Sequence, residues 1–362
     1  MNDLEKFIIE RIRESQPLTI AEYMELALGH ADYGYYMGHD PFGVEGDFIT
    51  APEISQMFGE LIGLWAAIMW QGMGAPETVN LVELGPGRGT LMADMLRAGF
   101  SAPGFRDAVD VHMVETSPAL KTLQQQTLNS AGLARNPNWH KSFDDIPEGP
   151  VIVIANEFFD ALPIEQYFRA GEYWCPRVVD IKPDGDGLCF VLLPPYEAPE
   201  LPPGLLDVPP DSMIEFCPAG LDIVEKISRR IAADGGAALI IDYGHGESGT
   251  GDTLQAVKGH ACHDILVDPG EADLTAHVDF GALGQRVFAS GARALGVLNQ
   301  GTFLKRLGID ERAEVLRGSA SADQAEDIMG ALKRLTEPDE MGDLFKVMAI
   351  IGIDAPRPPG FE

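Results

Sequence analysis

Glu83-Leu84-Gly85-Pro86-Gly87-Arg88-Gly89-Thr90 places three glycines at every second position directly after an apolar run, with a carboxylate two residues before the first. Glycines so spaced let the backbone turn sharply and admit a ligand where a Cβ would block it. A helix opening near Thr90 would aim free N–H groups at a polar ligand edge, a pyrophosphate or an amino-acid carboxylate alike. A second acid, Glu115, follows the run Val-Asp-Val-His-Met-Val of residues 109–114, where a carboxylate can accept both hydroxyls of a ribose. Further on, Asn156-Glu157-Phe158-Phe159-Asp160-Ala161-Leu162-Pro163 sets an amide and two carboxylates beside two aromatic rings. Acids can hold a guanidinium, whose planar fork pairs with them in bidentate fashion. Phe158 and Phe159 could flank a cation, with core packing the ordinary alternative for at least one of them.

Elements must hold these groups in place. Apolar strand patterns fall at 80–85, 109–116, 139–143, 151–158, 237–244, 293–300 and 345–353, with helical patterns between several of them. Such alternation predicts an α/β fold with a mostly parallel sheet wound with helices on both faces. Ligands of open sheets sit beyond the carboxyl ends of the strands. Glu83, Glu115, Asn156, Glu157, Asp242 and Tyr243 all fall at such ends. Residues 1–74 read as a helical and lid segment, with a capping box at Thr19 and Glu22 and an irregular, glycine- and tyrosine-rich stretch over 29–59. Residues 75–362 read as the main domain, interrupted at about 167–235 and 245–280. The first interruption predicts a hairpin with a Pro-Asp-Gly turn. Each is too short and too polar to hold a core by itself.

Spacing narrows the ligand. A dinucleotide fingerprint needs glycine where Thr90 stands, and a phosphate-binding P-loop needs a lysine after Gly89. The form Glu-Leu-Gly-x-Gly-x-Gly instead resembles the first motif of class I S-adenosylmethionine-dependent methyltransferases. In that resemblance Glu83 faces the cationic methionine end, while Gly85, Gly87 and Gly89 pass beneath the cofactor. Glu115 takes the ribose, and Asp144, after the third strand, meets the adenine amino group.

Longer motifs at 46–63, 83–97, 114–125, 155–167, 241–260 and 273–280 together resemble the MidA-type family of S-adenosylmethionine-dependent methyltransferases. The resemblance covers nearly the whole chain. It implies a Rossmann-like class I fold, S-adenosyl-L-methionine as cofactor and methylation of protein arginine. Mitochondrial members of that family are complex I assembly factors that dimethylate an arginine of a peripheral-arm subunit, so the implied partner is such a subunit. Carried onto this sequence, 46–53 folds over the cofactor as a lid, with Thr50 on the cofactor. Asp47 and Glu53 serve the substrate arginine or the cofactor amine, or else a turn and a helix start. The expected catalytic set is Asn156, Glu157, Asp160 and Asp47. Two other readings stand beside this one: a non-catalytic assembly factor that keeps the cofactor fold to bind a client, and an NAD-dependent oxidoreductase.

Composition sets the outer limits. A formal charge of −30 repels phosphate backbones and argues against nucleic acid as a partner. It suits basic proteins, although acidic surfaces commonly serve solubility. The four cysteines contain no Cys-x-x-Cys, and the His260-Ala-Cys-His263-Asp264 run lacks a third ligand at metal spacing, so no metal is expected. The apolar run 61–70 is far short of the roughly 20 residues of a membrane span. An acidic N-terminus without a leader pattern predicts a cytoplasmic protein without membrane insertion. Oligomeric state is left open, with a homodimer among the options.

Overall fold

The structure, a computed structural model, describes residues 1–38, 50–132, 137–195 and 201–362. Asp47 lies outside the described residues. The chain forms two compact units, each drawn from three stretches of sequence. One comprises Met1–Phe48, Phe159–Asp222 and His245–Leu283; the other comprises Ile49–Phe158, Ile223–Gly244 and Gly284–Glu362. The break expected near residue 74 therefore falls inside the second unit.

The second unit is built on seven strands of an eight-strand sheet. Its strands are β1 (Val79–Leu84), β2 (Val109–Val114), β3 (Asn138–His140), β4 (Val151–Asn156), β5 (Gly236–His245), β6 (Ala292–Asn299) and β7 (Phe345–Gly352). They lie in the order β6-β7-β5-β4-β1-β2-β3. β5, β4, β1, β2 and β3 pair in parallel. β7 runs antiparallel between β5 and β6. Every residue of β1 and β4 is buried, as expected for strands covered on both faces. Helices Gln56–Gly72 and Thr90–Gly99 pack on this sheet through Phe58, Ile62, Trp65, Leu91, Met92 and Met95. A Cβ at Gly63 would stand 2.2 Å from the Met95 carbonyl oxygen, so the two helices touch backbone to backbone there. That contact fixes the helix that starts at the glycine turn.

The third strand is shorter than its pattern. It stops at His140, and Phe143–Asp145 forms a 3-10 turn instead. Ser142 accepts the Asp144 N–H, and Asp145 turns back to accept from the Ser142 N–H; these local bonds replace the sheet ladder.

The first unit carries helices Asp3–Glu14 and Ile20–Gly29, the second opened by the Thr19–Glu22 capping box. Its larger sheet has five strands, with Tyr173–Ile181 pairing Glu165–Ala170, Leu188–Leu192 and Leu18–Thr19. The expected hairpin, with Pro183-Asp184-Gly185 in its turn, is present and is extended by Glu165–Ala170 into a meander. Gly171, at φ 66°, makes an additional turn between the first two strands. A smaller antiparallel sheet joins Ala261–His263, Gln255–Lys258 and Asp273–Thr275. The two interruptions share a core with the N-terminal helices: Ile8, Tyr23 and Met24 pack with Ile164, Val179, Ala256 and Leu274. Pooling three stretches supplies the apolar area that each lacks alone.

Candidate active site

The glycine turn joins β1 to helix Thr90–Gly99. Gly85, Gly87 and Gly89 have φ of 61°, 52° and 82°, a region that side chains with a Cβ rarely adopt. At Gly85 space is closed as well, since a Cβ would lie 2.8 Å from Phe158 Cδ2. Phe158 thus packs over the first glycine, at the head of the turn.

Glu83 lies under the turn with 3% of its surface exposed. Burial pushes its carboxyl well above the usual carboxylate range, opposed by the Met92 N–H that it accepts from the following helix. Its second oxygen, Oε2, is buried with no hydrogen-bond partner among the described residues. A cation alongside would satisfy that oxygen and favour the ionised acid.

Glu115 lies just beyond β2 and is also buried. Its Oε1 accepts from the Ser117 N–H at 2.8 Å and its Oε2 from Gln124 Nε2 at 3.0 Å. Burial raises its pKa, and those two bonds pull the other way. Gln124, fully buried on helix Pro118–Ser130, also donates to the Gly87 carbonyl at 2.8 Å and accepts from Trp139 Nε1 at 2.8 Å. One amide therefore joins the ribose-type acid, the glycine turn and the third strand. The sequence reading missed it. The signal was present: Ser117, Leu120, Gln124 and Leu128 recur at helical spacing on one buried face, and an amide in such a stripe needs partners.

β4 ends at Asn156, and Glu157 follows with φ 51°. A left-handed glutamate costs about 1–2 kcal/mol. Neighbouring bonds hold it there: its N–H donates to the Ile241 carbonyl at 3.0 Å. Its Oε1 accepts from the Ala51 N–H and from Asn156 Nδ2, each at 3.0 Å. Asn156 Oδ1 is buried without a partner among the described residues. Asp242, fully buried on β5, accepts the Phe158 N–H at 3.1 Å and the Tyr243 N–H at 3.0 Å, which joins the ends of β4 and β5.

Helix Ala51–Ile54 is anchored twice. Ala51 bonds Glu157, and Glu53 accepts the Thr90 hydroxyl at 2.5 Å with Arg88 3.6 Å away. Glu53 thus anchors the helix to the glycine turn. Thr50 precedes this helix without a side-chain cap and is half-buried. Asp144 is exposed at the surface, paired with Lys226 at 2.8 Å.

Asp160 belongs to the first unit. It is buried, and its carbonyl accepts from the Ala276 N–H at 2.9 Å. Burial first, then Asp273 and Asp160, hold the Tyr36 hydroxyl well above its usual pKa; Tyr36 donates to Asp273 Oδ1 at 2.7 Å. His263 bonds the Val267 carbonyl, and Asp264 accepts from the Leu266 N–H, so both brace their loop.

Around the glycine turn, two buried acceptors that have no partner among the described residues, a turn open to close approach and a braced acid at the second strand fit a nucleoside with a cationic amino-acid tail. Glu83, the three glycines, Glu115 and Asn156 are the residues that would hold it.

Comparison with known proteins agrees. A family described as "Putative S-adenosyl-L-methionine-dependent methyltransferase" matches residues 61–298. Protein arginine methyltransferase NDUFAF7, mitochondrial, of Mus musculus is 39% identical over 372 residues, 96% of this chain and 84% of that protein. Its Danio rerio counterpart is 38% identical over 368 residues, 96% of this chain and 86% of that protein. A crystal structure of a Burkholderia thailandensis protein bound to S-adenosyl-homocysteine matches with a TM-score of 0.81 at 27% identity, covering 99% of this chain and 92% of that one. The relatives carry mitochondrial names, which overturns the expected cytoplasmic location. By the family match and these relatives together, the chain belongs to the S-adenosyl-L-methionine-dependent methyltransferases.

Proposed function

We propose that this chain methylates an arginine side chain of a protein, and that this protein is a peripheral-arm subunit of respiratory complex I. The match to proteins named protein arginine methyltransferase, over 96% of the chain, carries the reading. S-adenosyl-L-methionine supplies an electrophilic sulfonium methyl, so the protein has mainly to align a nitrogen lone pair with it.

Glu157 suits that task. Two donors fix its Oε1 before any substrate arrives. A carboxylate so held pairs with one edge of the guanidinium and orients the nitrogen that attacks. Asn156 Oδ1 accepts an N–H from the cofactor amine or the substrate. Transfer would break the sulfonium S–CH3 bond, leave S-adenosyl-homocysteine as the neutral thioether and form N–CH3; the nitrogen's proton would leave after that bond forms, so no strong base is required. Glu83 balances the charge of the methionine end, and Glu115 receives the ribose hydroxyls. The expected product is symmetric dimethylarginine.

The test is labelled S-adenosyl-L-methionine with isolated peripheral-arm subunits, read by mass spectrometry of arginine peptides. Label on arginine, reduced about 100-fold in Glu157→Gln, supports the reading. Label on another residue type refutes it, whereas equal arginine transfer by Glu157→Gln refutes the role given to Glu157. No transfer with cofactor binding retained would favour a non-catalytic client binder.

A further inference from the structure

We propose that a cavity in the first unit, beside Asp279, receives a guanidinium side chain of the polypeptide substrate; the ligand class rests on the arginine reading above. The cavity measures ≈ 60 Å³, several times what one water needs. Phe159, Phe216, His245, His277, Glu215 and Asp279 are among its lining residues. All the residues that line it belong to this unit.

The two acids differ in state. Glu215 is saturated: Oε1 accepts from Gln166 Nε2 at 2.6 Å and the Leu254 N–H at 3.1 Å. Its Oε2 accepts from the Thr253 N–H at 2.9 Å and the Thr253 hydroxyl at 2.6 Å. That carboxylate builds the wall. Asp279 Oδ1 caps helix Phe280–Ala289, accepting the Ala282 N–H at 2.9 Å. Its Oδ2 is buried with no hydrogen-bond partner among the described residues, and Ser248 Oγ in the neighbouring loop is in the same condition. His245 donates Nδ1–H to the Glu247 carbonyl at 2.7 Å and stands 3.9 Å from Asp279 Oδ1, beyond hydrogen-bond reach.

Leaving a buried acceptor unpaired is costly, more so when it is charged. A ligand that brings N–H donors and a positive charge removes the cost. Guanidinium adds a second match. Its faces are weakly hydrated and stack on aromatic rings such as Phe159 and Phe216, while its edge reaches the carboxylate. The loop is held close for this: a Cβ at Gly281 would lie 3.0 Å from both the Gly246 oxygen and the Ser248 nitrogen.

The full-length chain is titrated with N-acetyl-arginine N-methylamide and with its uncharged isostere, N-acetyl-citrulline N-methylamide, following the His245 and His277 ring signals by NMR. The arginine probe is expected to bind saturably and shift both rings. Citrulline should bind at least tenfold more weakly. Asp279→Asn, which keeps the Oδ1 cap and replaces Oδ2 by a donor, should weaken arginine binding at least tenfold without changing S-adenosyl-homocysteine affinity. Should that variant unfold, Asp279→Ser also caps the helix without a charge. Equal binding of the two probes, or an unaltered Asp279 variant, overturns the proposal. Arginine transfer is scored separately: probe binding without transfer supports the cavity and refutes the arginine reading, whereas transfer without probe binding does the reverse.

Discussion

Glu83, under the glycine turn, and Glu115, just beyond β2, are both buried acids, yet their surroundings give them different work. Glu115 is braced on both oxygens, whereas one oxygen of Glu83 has no partner among the described residues. Burial raises the Glu83 pKa, so the acid holds its proton to higher pH than an exposed one. A cationic ligand favours ionisation, so cofactor affinity should rise with pH through that raised pKa and binding should release a proton. Calorimetry in buffers of different ionisation enthalpy will show that release, and Glu83→Gln should abolish it. Gln124 is the second residue to test. Gln124→Leu removes the donor to Glu115 Oε2 and to the Gly87 carbonyl and the acceptor of the Trp139 indole N–H, at ~1–3 kcal/mol for each buried group. Denaturant unfolding should show a loss of about 3 kcal/mol, and the KM for S-adenosyl-L-methionine should rise with kcat nearly unchanged.

At the scale of elements, β2 and β3 carry a polar pair, buried at His112 and half-buried at His140. His112 Nδ1 lies 2.9 Å from His140 Nε2, and His112 Nε2 lies 3.0 Å from Asn80 Oδ1. Burial, then His140, lowers the His112 pKa to about 4. Below the usual pKa of about 6.5 the unfolded chain takes up a proton that folded His112 refuses. Its contribution to stability is therefore complete above pH 6.5 and lost as pH falls from there towards 4, by up to ~1.4 kcal/mol per pH unit. Unfolding of wild type and His112→Gln across pH 4–7 should differ by that slope, and the His112 NMR titration should have its midpoint near 4. Gly85→Ala is the matching steric test. It combines a left-handed Cβ, at about 1–2 kcal/mol, with the Phe158 contact, and should weaken S-adenosyl-homocysteine binding as Phe158 is displaced.

The elements also show what the sequence made legible. Strands with apolar runs, such as Val79–Leu84 and Val151–Asn156, declare themselves because both faces are buried. Glycine spacing and the acids at strand ends indicated the cofactor class. The antiparallel course of β7 was not legible, since an apolar run reads the same in either direction. Nor was the left-handed Glu157, whose conformation depends on Ile241, Ala51 and Asn156 meeting it in space. Gln124 was readable in principle, as an amide in an apolar stripe. The meander at Gly171 was hidden by a single glycine among many.

For the whole molecule, ligand linkage gives a direct measurement. S-adenosyl-homocysteine at about 100 times its Kd should stabilise the fold by ~2.7 kcal/mol, while NAD should leave the melting point unmoved. The charge of −30 bears on partners. Stopped-flow association with a basic polypeptide should slow as salt is raised, with a smaller change in dissociation. One feature of the sheet reaches beyond equilibrium. Phe345–Gly352 lies between a strand that begins at Gly236 and another that begins at Ala292. During synthesis both of those ribbons emerge with a bare edge, and their shared neighbour comes out of the ribosome only after residue 345. Until then the nascent chain carries unfilled hydrogen-bonding rows along apolar strands, a state that invites chaperone holding and turns a late premature stop into an aggregating product rather than a shortened enzyme.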